Sequence, residues 1–306
     1  DAETFEAVSC DYSPELEWCP PGHGDLYAAL LGTGTLDTLV DSGVKYAFIS
    51  NSDNLGATLD FKLLNEFLNS DSSFMMEVTR RTDVDKKGGH LAKDSRNGNL
   101  LLREVAQCPE EDFNEFQNVN KHRYFNTNNI WIRLDRLRSL MRSSDNNLNL
   151  PLIINRKNLN PSDSQSSKVI QIEVAMGAAI QCFEDSTVIE VPRSRFSPVK
   201  SCEDLLALRS DAYQVSDDFE IQLCESRGGI PPEVGLSDEI YKNYKTFEEM
   251  TPYGPPSLKK CESIQVEGPV KFGKEISFEG TITITNDSKL VKEISSGKYI
   301  ENNIVL

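Results

Sequence analysis

The sequence predicts an α/β core over residues 1–225, a linker over 226–256 and a separate β domain over 257–306. Three observations carry this division. Short apolar strand patterns alternate with helical ones through the core, as in a domain built on a largely parallel sheet. From Glu225 to Pro256 the pattern breaks into Gly and Pro punctuation, Arg227-Gly-Gly-Ile-Pro-Pro232 and Thr251-Pro-Tyr-Gly-Pro-Pro256, with one helix expected around Leu236 to Met250. Beyond it, apolar residues recur every six positions at Val266, Phe272, Phe278 and Ile284, and again at Val270, Ile276 and Ile282. That recurrence predicts a β-helix of hexapeptide type. The competing reading is a hairpin of period two; Gly268, Gly273 and Gly280, placed at turn positions, favour the coil.

Within the core, strands are expected at Val44 to Ile49, Phe74 to Val78, Leu152 to Ile154 and Val169 to Glu173. Helices are expected at Leu26 to Leu31, at Leu36 to Val40 beyond the Gly32-Thr-Gly34 break, and at Leu59 to Leu68. Another begins at Ser201, with Asp204 in its first turn. The Ser- and Asn-rich stretches Arg142 to Leu148 and Asn158 to Ser167 read as exposed loops.

Composition narrows the function. The chain has 306 residues, 38% of them hydrophobic, and no apolar run approaches a membrane span. A formal charge of −16 argues against a nucleic-acid partner, which basic patches would have to hold. An acidic protein that binds phosphate must gather its cations locally, and Pro192-Arg-Ser-Arg-Phe-Ser-Pro-Val-Lys200 is a compact basic segment. Seven cysteines, odd in number and without C-x-x-C spacing, predict reduced thiols in a cytoplasmic protein. The Asn286-Asp-Ser288 sequon reads as chance.

Two loops stand out. Cys19-Pro-Pro-Gly-His-Gly-Asp25 sets His23 between two glycines, which removes Cβ crowding from the backbone. Ser50-Asn-Ser-Asp-Asn-Leu-Gly56 ends an apolar strand on small polar residues around one carboxylate, Asp53, at the strand end where open α/β sheets bind ligands. Each loop alone also fits ordinary turn chemistry. Three further segments share this polar character. Lys87-Gly-Gly-His-Leu91 could offer bare amides, Glu104 in Arg103-Glu-Val-Ala-Gln107 could accept from sugar hydroxyls, and Phe125-Asn-Thr-Asn-Asn-Ile130 supplies groups that both donate and accept. A hairpin turn, a salt-bridged strand Glu and an Asn-rich cap are the alternatives.

Taken in this order, with Val191-Pro-Arg-Ser-Arg-Phe-Ser-Pro-Val-Lys200, the segments resemble the eukaryotic-type UTP-glucose-1-phosphate uridylyltransferases from about Ala7 to the C-terminus. The resemblance implies a Rossmann-like nucleotidyltransferase core with a C-terminal left-handed β-helix. It implies transfer of a uridylyl group from UTP to glucose 1-phosphate, giving UDP-glucose and pyrophosphate with Mg²⁺. It also implies roles for residues. Gly22 would lie beside uracil and His23 at the sugar phosphate. Asn51 and Asp53 would serve the ribose, phosphates and metal, with Asp53 as the metal-side carboxylate. Gly89, Glu104, Asn126 and Asn128 would form the hexose pocket, and Lys200, the catalytic position, would neutralise phosphates. Arg193 and Arg195 are read as structural, alternating along one strand face.

The family's glycine-rich nucleotide loop with its downstream lysine, and an upstream uracil-contacting glutamine, have no counterpart here, so the resemblance covers the carboxyl two-thirds of the enzyme. The expectation is little activity without a complementing N-terminal segment, and the start at Asp1 reads as a processed or partial product. Another sugar 1-phosphate stays open as the substrate. So does a non-catalytic module that oligomerises through its C-terminal domain.

Overall fold

The computed structural model describes residues 1–82, 85–86, 88–161, 163 and 165–306. Lys87, which opens one of the expected loops, lies outside the described residues. The chain packs as two units: Asp1–Asn51 with Leu59–Arg193, and Ser52–Thr58 with Ser194–Leu306.

The first unit contains α1 (Leu26–Gly32), α2 (Thr35–Asp41), β1 (Tyr46–Ile49), α3 (Phe61–Ser70), β2 (Phe74–Arg80), β3 (His90–Lys93) and β4 (Leu100–Arg103). It continues with α4 (Phe113–Phe116), β5 (Tyr124–Arg133), α5 (Leu134–Ser143), β6 (Leu152–Asn158), β7 (Lys168–Val174) and β8 (Thr187–Glu190). All four expected core strands and the three helices before residue 70 form, within a few residues of their expected ends.

The sheet order is β4-β3-β5-β2-β8, with β1 also on β5. The expectation of a largely parallel sheet is wrong, because β2 and β8 form its one parallel pair among the described strands. The physical reason is the place of β5. β1 and β2 are joined through α3 and run the same way, yet β5 lies antiparallel between them and separates them. Alternation of helix and strand along the sequence does not reveal such an insertion. Side chains of β2 alternate across the sheet: Phe74, Met76 and Val78 pack with Tyr27, Leu36, Leu137 and Met141, while Met75 packs with Phe67 of α3 and Trp131.

One latch ties the loop after β2 to the end of this unit. Arg193 donates to both carboxylate oxygens of Asp85 at 2.8 Å, and Asp85 also accepts from the Thr82 amide and hydroxyl at 2.9 Å. Arg193 and Arg195 lie on a short 3-10 helix rather than on the expected strand face. Both are engaged structurally, Arg195 through the Thr58 carbonyl at 2.9 Å.

The second unit contains α6 (Cys202–Arg209), β9 (Tyr213–Val215), β10 (Ile221–Leu223), β11 (Glu233–Leu236), α7 (Asp238–Tyr241), α8 (Tyr244–Met250), β12 (Ser257–Glu267), β13 (Val270–Phe272), β14 (Ile276–Thr285), β15 (Lys292–Ile294) and β16 (Gly297–Val305). α6 starts as expected, on a reciprocal capping box between Ser201 and Asp204. The stretch expected as a linker holds β11, α7 and α8, and buries Leu236, Tyr241, Phe247 and Met250 in this unit's core.

The expected left-handed β-helix of hexapeptide type is not what the C-terminal segment forms. It builds a four-stranded parallel sheet, β11-β12-β14-β16, and a separate two-stranded ladder, β13-β15. Strands β12, β14 and β16 run for 11, 10 and 9 residues, too long for the faces of a six-residue coil. Their pairing offsets also vary, since Ile264 pairs with Ile282 but Ile276 with Gly297. Burial along β14 alternates with period two through Ile276, Phe278, Ile282 and Ile284. Six is a multiple of two, so an alternating strand pattern reproduces the six-residue recurrence. Gly280, expected at a turn, lies inside β14.

Asn286, the sequon residue, is buried at 2% exposure. Its amide donates to the Pro269 and Leu290 carbonyls at 2.8 and 2.9 Å. Asn286→Ala leaves those carbonyls without their donor, and urea unfolding followed by circular dichroism will show a loss of about 2–3 kcal/mol.

The latch makes stability depend on pH. Burial pushes the Asp85 carboxyl up, but the Arg193 guanidinium and the Thr82 donors outweigh it and hold the pKa below the usual carboxylate range. A depressed folded pKa stabilises fully above the unfolded value and loses that contribution as pH falls through the folded one. Unfolding free energies measured from pH 6 down to pH 2 will therefore fall less steeply for Arg193→Ala than for the parent.

Candidate functional site

The first unit gathers most of the expected site residues at the end of the sheet where β2 leaves it. Met76 pairs with Ile130 and Val78 with Asn126, so Glu77 alone faces Thr127, Asn128 and Asn129, and β5 bulges outward. Asn128 takes a left-handed φ of 57°, which Asn tolerates better than most residues. The Asn126 amide donates to Asn128 Oδ1 at 2.7 Å, and the Asn128 backbone N–H donates to Asn126 Oδ1 at 2.8 Å. This reciprocal pair fixes both side chains.

Gly177 lies against the pair: a Cβ there would stand 3.0 Å from Asn126 Nδ2 and 3.2 Å from Asn128 Oδ1. Gly89 joins from β3's leading edge, its carbonyl accepting the Asn126 N–H at 3.1 Å. A Cβ on Gly89 would stand 2.5 Å from Glu104 Oε1 and 2.6 Å from Oε2, so any side chain would displace that carboxylate. Gly89, Glu104, Asn126 and Asn128 therefore form one polar cluster. Beneath it His90 is fully buried and stacks on His122 with ring centroids 4.0 Å apart. Burial, the neighbouring His122 and nearby arginines push the His90 imidazole down to about 3, so it is neutral.

His23 is joined to this cluster through one residue, Met176, which precedes Gly177. The Met176 N–H donates to His23 Nδ1 at 2.9 Å, and the Met176 carbonyl accepts from the Tyr27 hydroxyl at 2.8 Å. With Nδ1 accepting, a neutral His23 carries its proton on Nε2 and can donate there. Gly22 has a left-handed φ of 85°, and a Cβ on it would meet the Val174 carbonyl at 2.7 Å. What approaches the backbone of this loop is the end of β7, which also donates a hydrogen bond to it: the Val174 N–H donates to the Pro21 carbonyl at 3.0 Å. Asn51 lies two residues beyond β1 and is half-buried.

In the second unit, residues 52–58 pair with the basic segment. Asn54 and Pro198 form an antiparallel bridge, and the Val199 N–H donates to the Asp53 carbonyl at 2.9 Å. The Asn54 amide donates to the Arg195 carbonyl at 3.1 Å, and Asn54 Oδ1 accepts the Ser197 N–H at 2.8 Å. Gly56 is required here because a Cβ would collide with the Ser194 carbonyl. Asp53 and Lys200 thus sit on paired segments. Lys200 is exposed; its backbone N–H donates to Asp204 at 2.9 Å, and its ammonium makes no ion pair among the described residues.

The expected residues fall into two groups, Gly22, His23, Asn51, Gly89, Glu104, Asn126 and Asn128 in the first unit, and Asp53 and Lys200 in the second. Sequence reasoning missed Met176 and Gly177, which connect His23 to the asparagine pair, and Glu77 behind the bulge. A signal was available for Gly177: it lies among the alanines of Ala175-Met-Gly-Ala-Ala179, directly after a strand, where a backbone can approach closely.

A family model for UTP-glucose-1-phosphate uridylyltransferase matches residues 1–279. The chain is 38% identical over 288 residues to UTP-glucose-1-phosphate uridylyltransferase of Musa acuminata, covering 94% of this chain and 59% of that protein. It is 38% identical over 299 residues to that of Saccharomyces cerevisiae, covering 97% and 58%. Among solved structures, UDP-glucose phosphorylase from Trypanosoma brucei is 50% identical with a TM-score of 0.90, over 99% of this chain and 65% of that one. UDP-glucose pyrophosphorylase from Leishmania major is 47% identical with a TM-score of 0.88, over 99% and 66%. The chain thus spans about 59% of the length of the plant relative and 65% of the trypanosome one. With the match running through most of its residues, the chain belongs to the UTP-glucose-1-phosphate uridylyltransferase family.

Proposed function

We propose that the chain takes part in transfer of a uridylyl group from UTP to glucose 1-phosphate, reversibly, releasing pyrophosphate, with groups for the hexose phosphate in its first unit and groups for phosphate and metal in its second. The observation that carries this reading is the cluster of Gly89, Glu104, Asn126, Asn128 and Gly177. It joins a carboxylate acceptor, two amides and two bare glycine positions at one sheet end, a combination suited to a flat, polyhydroxylated ring. A related Leishmania major protein, 45% identical with a TM-score of 0.87, has been solved in complex with UDP-glucose.

The reaction needs alignment and charge neutralisation more than a protein nucleophile, because the attacking phosphate oxygen is already anionic. His23, with Nδ1 committed to Met176, donates from Nε2 to the sugar phosphate and has no need to act as a base. Gly22 serves the uracil and Asn51 the ribose. Lys200 brings a mobile point charge to the phosphates, suited to charge that shifts as pyrophosphate departs.

Asp53 is half-buried, and its carboxylate makes no ion pair among the described residues. No group of three or more His, Cys, Asp or Glu residues that could hold a metal occurs among them. The Asp53 carboxylate suits Mg²⁺, which takes one or two carboxylates and completes its shell with water and substrate phosphate. Asp53 would hold it, and the ion would neutralise phosphate charge. Seven cysteines, odd in number and without C-x-x-C spacing, support a cytoplasmic setting, and no helix among the described residues is long and apolar enough to cross a membrane.

Calorimetric titration with UDP-glucose tests the hexose side. The parent will bind, and Asn126→Ala will weaken binding by about tenfold, the scale of a lost hydrogen-bonding group in a polar pocket. Lys200→Ala and Asp53→Ala in the complete enzyme will each lower pyrophosphate-releasing turnover by about two to three orders of magnitude, the scale of a lost electrostatic group. Near-normal turnover would overturn the assignment of those two residues.

A further inference from the structure

The bulge in β5 is held from the opposite face of the sheet by Glu77, a residue in none of the site motifs. Glu77 is fully buried. Its carboxylate accepts from Trp131 Nε1 at 2.9 Å and from Asn129 Nδ2 at 3.0 Å, and its carbonyl accepts from the Thr127 hydroxyl at 2.7 Å. The Thr127 oxygen accepts in turn the Asn129 N–H at 3.2 Å. Residues 127, 129 and 131 are therefore tied to Glu77, while the intervening Asn128 is paired with Asn126 beside Gly177.

We propose that Glu77 is a positioning residue for hexose recognition: its hydrogen bonds select the bulge conformation in which the Asn126 and Asn128 amides stand ready for sugar hydroxyls. The inference rests on the reading of that asparagine pair as the sugar side of the site. Two arguments support it. A fully buried carboxylate is costly unless it is well satisfied, and the Asn129 and Trp131 donors that satisfy this one both lie on β5, at and just beyond the bulge. Indole N–H is a donor only, and Asn129 presents Nδ2; a carboxylate accepts from both without constraint, and it sits opposite the one segment of β5 that must leave regular pairing.

The test compares the parent with Glu77→Leu, Thr127→Val and Glu77→Gln by titration with UDP-glucose and with UDP, and by NMR of the Asn126 and Asn128 side-chain amides. Glu77→Leu removes both carboxylate bonds at similar volume, Thr127→Val removes the bond to the Glu77 carbonyl and the acceptor of the Asn129 N–H while leaving the carboxylate bonds in place, and Glu77→Gln is satisfied if Asn129 turns its amide over. The expected result is a loss of about tenfold or more in UDP-glucose affinity for Glu77→Leu and about threefold to tenfold for Thr127→Val. UDP affinity stays within about twofold for both, the amide resonances move, and Glu77→Gln restores affinity for the sugar nucleotide. Equal weakening of both ligands, or an unchanged ratio in Glu77→Leu and Thr127→Val, overturns the proposal. Should the parent fail to bind UDP-glucose, the functional reading falls separately, and unmoved amide resonances in both variants then overturn the positioning role itself.

Discussion

Where β2 and β5 pair, one residue faces three, and the polar surface of the first unit follows from that mismatch. A regular antiparallel ladder would send alternate residues of Phe125-Asn-Thr-Asn-Asn-Ile130 to opposite faces and bury half of them in apolar surroundings. The extra residues opposite Glu77 bring Asn126 and Asn128 into contact with each other, and pin Thr127 and Asn129 to the carboxylate side. Breaking regular pairing leaves donors and acceptors unmatched. The asparagine side chains and Glu77 supply the missing partners, so the distortion is satisfied locally. An Asn-rich strand is a poor choice for burial and a good one for a bulge.

The same logic extends outward through single peptides. Met176 is gripped at its N–H by His23 and at its carbonyl by Tyr27, which fixes the Gly177 backbone against the asparagine pair. On the other side, the Gly89 carbonyl is held by the Asn126 N–H, and Gly88 has no room for a side chain because Phe125 fills that space. Arg81 adds a buried guanidinium that donates to the Phe116, His122, Asp85 and Lys86 carbonyls. Loops satisfied at so many backbone positions hold their geometry without a ligand, which lowers the ordering cost of binding one.

Much of this was legible in the sequence, and the failures have definite causes. Strand and helix positions follow local pattern, so Tyr46–Ile49, Phe74–Arg80 and the helix capped by Ser201 were readable. Sheet direction is set by which strands meet, and the antiparallel insertion of β5 leaves no mark on the hydrophobic pattern of β1 or β2. The C-terminal period misled because the positions that suggested a six-residue repeat are buried positions of three strands, β12, β13 and β14, and on β14 they alternate with period two. Candidate residues with distinctive chemistry, His23, Glu104 and the asparagines, could be picked out by type. Met176 acts through its main chain and Glu77 through burial, and neither property is written in a residue type.

Charge placement explains why the acidic balance of the chain, −16, does not empty the basic segment of meaning. Of its three cations, Arg193 is committed to Asp85 and Arg195 to Thr58, each by geometry that a planar fork satisfies well. Lys200 remains exposed on a segment anchored by Asn54 and by the Asp204 cap, without an ion pair among the described residues. Two rigid arginines hold the segment while one flexible lysine stays outside the ion-pair network. An ammonium on a mobile stem can follow a phosphate through a change in charge and position, whereas a guanidinium locked in a bidentate pair cannot. The structural role of the arginines and the exposure of the lysine are thus two sides of one arrangement, and the pairing of that segment with residues 53 and 54 puts Asp53 and Lys200 on neighbouring backbone segments.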